Sequence, residues 1–231
     1  MPTISVVIPA CNEEKYIEAT LNSLKQQEFN DYETIVVCNG CTDNTESIAK
    51  QHEGENTTVI SFPEANVSKA RNIGASKASG SVLLFLDADS TLEQDALSKI
   101  NEQFMDNHYA ATTKAKPGTP SLKFNLALGL KNFYLSTGLY EGCSGALICR
   151  RGDFDKVNGY DSALIVKEHR KLIIKLKRAT QKEFVCINTH LTTSMRRYQQ
   201  WGLSKSAVFW TKQWLKNYLG DLKKSEYEKI R

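Results

Sequence analysis

The sequence has no long hydrophobic run. Its longest unbroken apolar stretch, Val82 to Leu86, falls far short of the roughly 20 residues that cross a bilayer. The amino terminus, Met1-Pro-Thr-Ile-Ser5, lacks the basic start and apolar stretch of a secretory signal, so the expected setting is the cytoplasm. Only 5 prolines and 13 glycines are spread over 231 residues, which leaves no room for a long flexible linker. Compositional bias is missing too. With 41% apolar and 24% charged residues, disorder, collagen-like repeats and low complexity are excluded. No internal repeat is visible. No G-x-G-x-x-G follows the first apolar run, which argues against a dinucleotide oxidoreductase. The six cysteines (Cys11, Cys38, Cys41, Cys143, Cys149, Cys186) include one C-x-x-C, Cys38-Asn-Gly-Cys41, without the second ligand pair that a structural zinc site wants. That pair reads either as a redox motif opening a helix or as two small residues in a strand-to-helix turn.

Charge is present but unevenly placed. Residues 1–149 carry 11 lysines and arginines against 18 acids, whereas residues 150–231 carry 19 against 8. The basic half should face something anionic, either phosphates or an acidic lipid surface, unless it is only a solvated lysine-rich face. Nucleic acid is not expected as a partner, because the amino half is acidic and no reader motif occurs.

The first hundred residues alternate apolar runs with amphipathic ones. Strands are expected at 4–8, 32–37, 57–61 and 81–86, with helices at 13–27, 42–52, 67–78 and 93–105 between and after them. Continuous apolar strands separated by helices predict an α/β fold with a doubly wound, mostly parallel sheet. The second half is less regular. Strands are expected at 109–114, 146–149 and 184–188. Helices are expected at 122–135, around 150–160 with a stop at Gly159, at 166–178 and at 199–219. One domain is predicted over residues 1–220, as a Rossmann-like nucleotide half (1–115) and a mixed acceptor half (116–220), followed by a basic tail at 221–231.

Asp87-Ala-Asp89 lies at the carboxyl end of the apolar strand 82–86. Ligands of open α/β sheets bind in the crevice outside such strand ends. In an extended segment residues i and i+2 point the same way, so both carboxylates can face that crevice. Paired hard oxygens suit Mg²⁺ or Mn²⁺ with positions left open for a diphosphate.

Around this pair the chain resembles the family 2 glycosyltransferases of GT-A fold. The resemblance is carried by Val7-Ile-Pro9-Ala-Cys-Asn12-Glu13-Glu14, Val36 to Asp43, Lys69-Ala-Arg71-Asn72-Ile-Gly74 and Phe85 to Asp89. It continues through Gly142 to Arg151, Phe154 to Asp161 and Thr193-Ser-Met-Arg196-Arg197-Tyr198, and it covers residues 3 to about 202. It implies an inverting, metal-assisted transfer of a sugar from a nucleoside diphosphate sugar to an acceptor hydroxyl. The acceptor class it implies is a glycan or a lipid-linked one. Asp89 is the implied metal ligand, with Asp87 near the ribose or metal. Pro9, Asn12 and Glu14 follow strand one, where the family holds the nucleoside, although Glu14 also suits a first helical turn. Arg71 would reach the ribose or a phosphate. Lys69, beside it, reads equally as a donor contact or a solvated lysine.

Two departures stand out. Where the family usually has an acid at the end of strand two, this chain has Cys38-Asn39, so Asn39 would face the base with an amide. Where the family has an E-D pair ahead of a basic helix, this chain has Glu168-His169. Either can serve as the base that takes the acceptor proton, or Glu168 simply pairs with a neighbouring cation. The missing second acid keeps an alternative alive, a catalytically inactive member that binds nucleotide-sugar or glycan. Arg196 and Arg197 precede the last helix, and one of them should clamp the leaving diphosphate. That helix aligns Leu203, Ala207, Trp210, Trp214 and Tyr218 on one stripe. The stripe suits either packing onto the enzyme body or peripheral contact with the cytoplasmic face of a membrane.

Overall fold

A computed structural model describes residues 1–164, 167–196, 198–202 and 208. The first four strands, β1 (Ile4–Ala10), β2 (Tyr32–Asn39), β3 (Thr57–Phe62) and β4 (Val82–Leu86), are parallel and stand in the order β3-β2-β1-β4. The sheet continues without a break into the second half through β7 (Ala146–Arg150), β6 (His108–Pro117), β8 (Glu183–Thr193) and β5 (Ser90–Leu92). Strands β7 and β5 run against the others. The fold is therefore α/β with a mixed but mostly parallel sheet.

Both faces of the sheet are covered, which is why its central strands read as unbroken apolar runs. Ile4, Val6 and Ile8 of β1 join Leu84 and Leu86 of β4 on one face. There they pack against α1 (Ile17–Lys25), α2 (Thr45–Lys50) and α4 (Ala96–Gln103). Val7, Leu83 and Phe85 point the other way, toward α3 (Val67–Lys77), α6 (Arg151–Lys156) and α7 (Glu168–Ala179). At Gly74 of α3 an added Cβ would stand 2.3 Å from Val7 Cγ1 and 3.4 Å from Val37 Cγ2, so this helix sits directly on the sheet. Helix α5 (Leu122–Ser136) flanks the second half and buries only Leu135.

Helices α1, α2 and α4 each begin three or four residues later than their sequence suggests, and for the first two the cause is local. Residues 13–16 form a turn in which the Glu13 carbonyl accepts from the amides of Tyr16 and Ile17. Asp43 Oδ1 accepts from both the amide and hydroxyl of Thr45, and this side-chain turn replaces the helix start expected at Thr42. Strand β5 was not expected at all. Three residues are too few to show a period, and it exists because β8 is long enough to pair with it. Among the described residues, no helix is long and apolar enough to cross a membrane. The expected stripe at Leu203, Ala207, Trp210, Trp214 and Tyr218, and the tail at 221–231, lie outside the described residues.

Candidate active site

The carboxyl ends of β1, β2 and β4 open into a cavity of about 680 Å³. Pro9 and Asn39 line it from the first two strands, and Asp87 and Asp89 from the segment after β4. That segment is a turn, in which the amide of Ser90 donates to the Asp87 carbonyl at 3.1 Å, rather than the extended pair expected from the sequence. Both carboxylates reach the cavity all the same.

Arg71 is the hub of one side. It is 3% exposed, its Nη2 lies 2.8 Å from Asp87 Oδ1, and its Nη1 lies 2.8 Å from Glu168 Oε1. The guanidinium also lies over the Tyr160 ring, 5.4 Å from its centre. Local chemistry explains how residues 97 apart in sequence meet. Asn66 caps α3 through the amide of Lys69 and donates its own amide to Ser162 O, while Asn72 exchanges two hydrogen bonds with the backbone of Tyr160. The segment leading to α7 is thereby fastened to α3, and Lys167, left-handed at φ 57°, turns the chain into the helix that begins with Glu168.

His169 is placed differently from Glu168. Its Nδ1 shares a 2.9 Å hydrogen bond with the Tyr160 hydroxyl, and its Nε2 is buried with no partner among the described residues. Burial, with Arg71 nearby, pushes its pKa well below the usual histidine value, so the ring is neutral at physiological pH. Glu168 uses Oε1 on Arg71, and no bond to its Oε2 occurs among the described residues.

On the other side, Arg196 grips Glu13 through two nitrogens at 2.6 Å each, lies 3.3 Å from Asp89 Oδ2, and stacks over Tyr16 at 5.0 Å. The sheet explains this meeting. Ser90 pairs with Thr193, and the amide of Ser194 donates to the Asp89 carbonyl, so the chain leaving β8 runs back past Asp89. Burial and the neighbouring Asp87 push the Asp89 carboxyl up to about 7, against the pull of Arg196.

Eight expected residues come together around the cavity: Pro9, Asn39, Arg71, Asp87, Asp89, Glu168, His169 and Arg196. Three do not line it. The amide of Asn12 exchanges hydrogen bonds with Thr42. Glu14 stands ahead of α1, whose first-turn acid is Glu18, and instead accepts from the backbone and side chain of Asn44 at the start of α2. Lys69 faces outward and pairs with Glu64 at 2.6 Å, as a solvated lysine would. Arg197 lies outside the described residues. Asn39 is buried, and with its amide turned so that the nitrogen donates to Ala10 O and the oxygen accepts from Asn66 N, its contribution to the cavity is a wall more than a free hydrogen-bonding edge. Beside it Cys38 is buried, and Cys41 Sγ donates to Ala10 O.

Sequence reasoning missed three residues. Glu13 stands between Asn12 and Glu14, and nothing local marks it as the partner of Arg196. Tyr160 was visible only as part of a motif. Lys131 was signalled weakly, as the one cation in the body of an otherwise apolar helix. Its Nζ donates to Cys143 O at 3.0 Å, and burial lowers its pKa.

Among the described residues no cluster of three or more acids, histidines or cysteines could enclose a metal ion. A diphosphate-bound Mg²⁺ or Mn²⁺ needs only one or two carboxylates, because phosphate oxygens and water supply the rest. Asp89 and Asp87 are hard oxygen donors at the cavity wall. The residues fit such an ion.

The profile of glycosyl transferase family 2 matches residues 5–157. The poly(ribitol-phosphate) beta-N-acetylglucosaminyltransferase TarS of Staphylococcus aureus is 34% identical over 115 residues, 48% of this chain and 20% of that protein. This chain therefore spans much less than the whole of that relative. The crystal structure of TarS residues 1–349 in complex with UDP-GlcNAc superposes with a TM-score of 0.65 at 24% identity, covering 85% of this chain and 59% of that one. The mannosyltransferase PcManGT of Pyrobaculum calidifontis, in complex with GDP-Man and Mn²⁺, gives 0.66 at 18% identity, covering 87% and 59%. These two likenesses show the GT-A fold.

Proposed function

The chain belongs to glycosyl transferase family 2, and we propose that it moves a sugar, with inversion, from a nucleoside diphosphate sugar to the hydroxyl of a glycan or lipid-linked acceptor. The observation that carries this reading is the double ion pair of Arg71. One buried guanidinium fixes Asp87, on the donor side, and Glu168, on the acceptor side, at 2.8 Å each.

In this reading Pro9 and Asn39 wall the nucleoside, and Asp87 meets the ribose or the ion. Asp89 and Asp87 would hold Mn²⁺ or Mg²⁺, which when bound offsets negative charge on the diphosphate. Glu168 is the base. Its Oε1 stays on Arg71 while Oε2 takes the proton from the acceptor hydroxyl. The acceptor oxygen bonds to the anomeric carbon from the face opposite the diphosphate, the old glycosidic bond breaks, and its electron pair leaves with the phosphate. His169, neutral and tied to Tyr160, positions the ring stack beneath Arg71. Arg196 moves from Glu13 to the leaving phosphate, where a guanidinium can hold two oxygens at once. The proposed setting is the cytoplasm.

The test is a panel of UDP-sugars and GDP-sugars with Mn²⁺. Slow release of the nucleoside diphosphate from at least one donor supports the reading. Binding without release identifies an inactive, sugar-nucleotide-binding member. Neither binding nor release overturns both.

A further inference from the structure

Large apolar side chains are exposed in one place above all. Leu122, Leu126, Leu130, Phe133, Tyr134, Leu139 and Tyr140 are all exposed, Leu122 by 85% and Leu126 by 74%. Elsewhere among the described residues only Met1, Met105 and Val208 are comparable. Leu122, Leu126, Leu130 and Phe133 follow one another at helical spacing and form a stripe along α5. An apolar patch of this kind on a soluble fold marks a contact surface.

The stripe adjoins the catalytic cavity. Leu128 and Lys131 of α5 line that cavity, and Lys131 also lines a shallow concavity with Ala127, Leu130, Tyr134 and Tyr140. A basic helix stands beside it. Helix α7 carries Arg170, Lys171, Lys177 and Arg178, with Glu168 its one acid, while its Lys175 is turned to the carbonyls of Val157 and Gly159. Arg170 donates to Glu141 O, and Lys177 pairs with the Glu141 carboxylate at 2.8 Å, so α7 is tied to the segment that follows α5.

We propose that the apolar face of α5 seats on an anionic lipid bilayer, with the basic face of α7 against its headgroups, so that the acceptor reaches the cavity on a lipid anchor. The charge decides the occupant. A two-fold pairing of copies through α5 would bring like-charged α7 helices toward each other, whereas anionic headgroups accept the same leucines and the opposite charge. The junction residue Lys131 then meets a phosphate of the lipid-linked acceptor, with hydrocarbon on one side and the sugar site on the other. The acceptor class rests on the transferase reading; the bilayer contact does not.

The experiment is sedimentation of the full chain with phosphatidylcholine vesicles, with and without phosphatidylglycerol, in the absence of donor. Wild type should bind the anionic vesicles, and more weakly as salt rises. Leu122→Glu/Leu126→Glu should lower the bound fraction by about tenfold at unchanged melting temperature and donor hydrolysis, since both side chains are solvent-facing. Lys171→Glu should weaken binding to anionic vesicles alone. Failure of wild type to bind, or equal binding by the double variant, overturns the proposal. So does self-association that the double variant abolishes without any vesicle binding. Vesicle binding by a protein that turns over no donor would leave the bilayer contact standing and remove the transferase reading.

Discussion

Arg196 meets Glu13 across 183 residues of sequence, nitrogen to oxygen at 2.6 Å on both prongs of the fork. A cation held this way, one contact from Asp89, is stored beside the place where a diphosphate would need it. Arg196→Ala should lower transfer at saturating donor by a factor on the order of 10², the usual effect of removing one charge-stabilising donor. Arg197→Ala, measured in parallel, tests which arginine is the clamp. Rates within about threefold of wild type for both variants would exclude it.

Asp89 should be required for metal-dependent donor binding. Calorimetric titration of a nucleoside diphosphate is expected to show tighter binding with Mn²⁺ than without it, and Asp89→Ala should abolish the difference. Equal affinity under all four conditions removes the ion from the reaction.

The same carboxylate links stability to pH. Its folded value of about 7 lies above the unfolded 3.8, so the folded state prefers the protonated form. Stability contributed by that proton is intact below the unfolded value and falls away as pH rises toward 7. Asp89→Asn should therefore raise the melting temperature of the ligand-free protein by a few degrees at pH 8 and by much less at pH 4. A thermal melt at the two pH values checks this, and a destabilised variant at pH 8 contradicts it.

Glu168→Gln should cut turnover by about 10² or more while donor affinity holds, because the base acts only on the acceptor proton. His169→Ala removes the partner of the Tyr160 hydroxyl and is expected to cost less. If His169→Ala is the more damaging in a folded protein, the two roles are reversed.

Arg71→Ala strips the shared cation from two carboxylates. Breaking a buried ion pair by removing one partner typically costs about 3–5 kcal/mol, so the variant should unfold at lower denaturant and lose transfer together. Arg71→Lys keeps the charge but has no fork to reach both acids, so it should recover more stability than activity. Full activity of Arg71→Lys would mean that only one of the two contacts matters.

The parallel half of the fold was legible because its strands are buried on both faces and its helices alternate with them. Boundaries were lost where side chains, not periodicity, decide them, as at Asp43–Thr45. The carboxylates after β4 were legible by position at a strand end. Residues whose role comes from a distant partner were not. Glu13 needs Arg196, and only the β5–β8 pairing brings them together. Lys69 and Asn12 stand off the cavity for the opposite reason, since each has another partner, Glu64 or Thr42, that sequence spacing does not reveal.

Gly74 lies three residues after Arg71, on the same side of α3, with Val7 where its β-carbon would be. The depth at which that helix rests on the sheet is thus set by a missing methyl. Any larger residue there acts as a shim, lifting the helix and drawing the arginine away from both its acids in one movement. In a mutational survey Gly74 would rank with the reacting groups while touching neither sugar nor nucleotide, and its variants would look like site lesions in a protein that still folds.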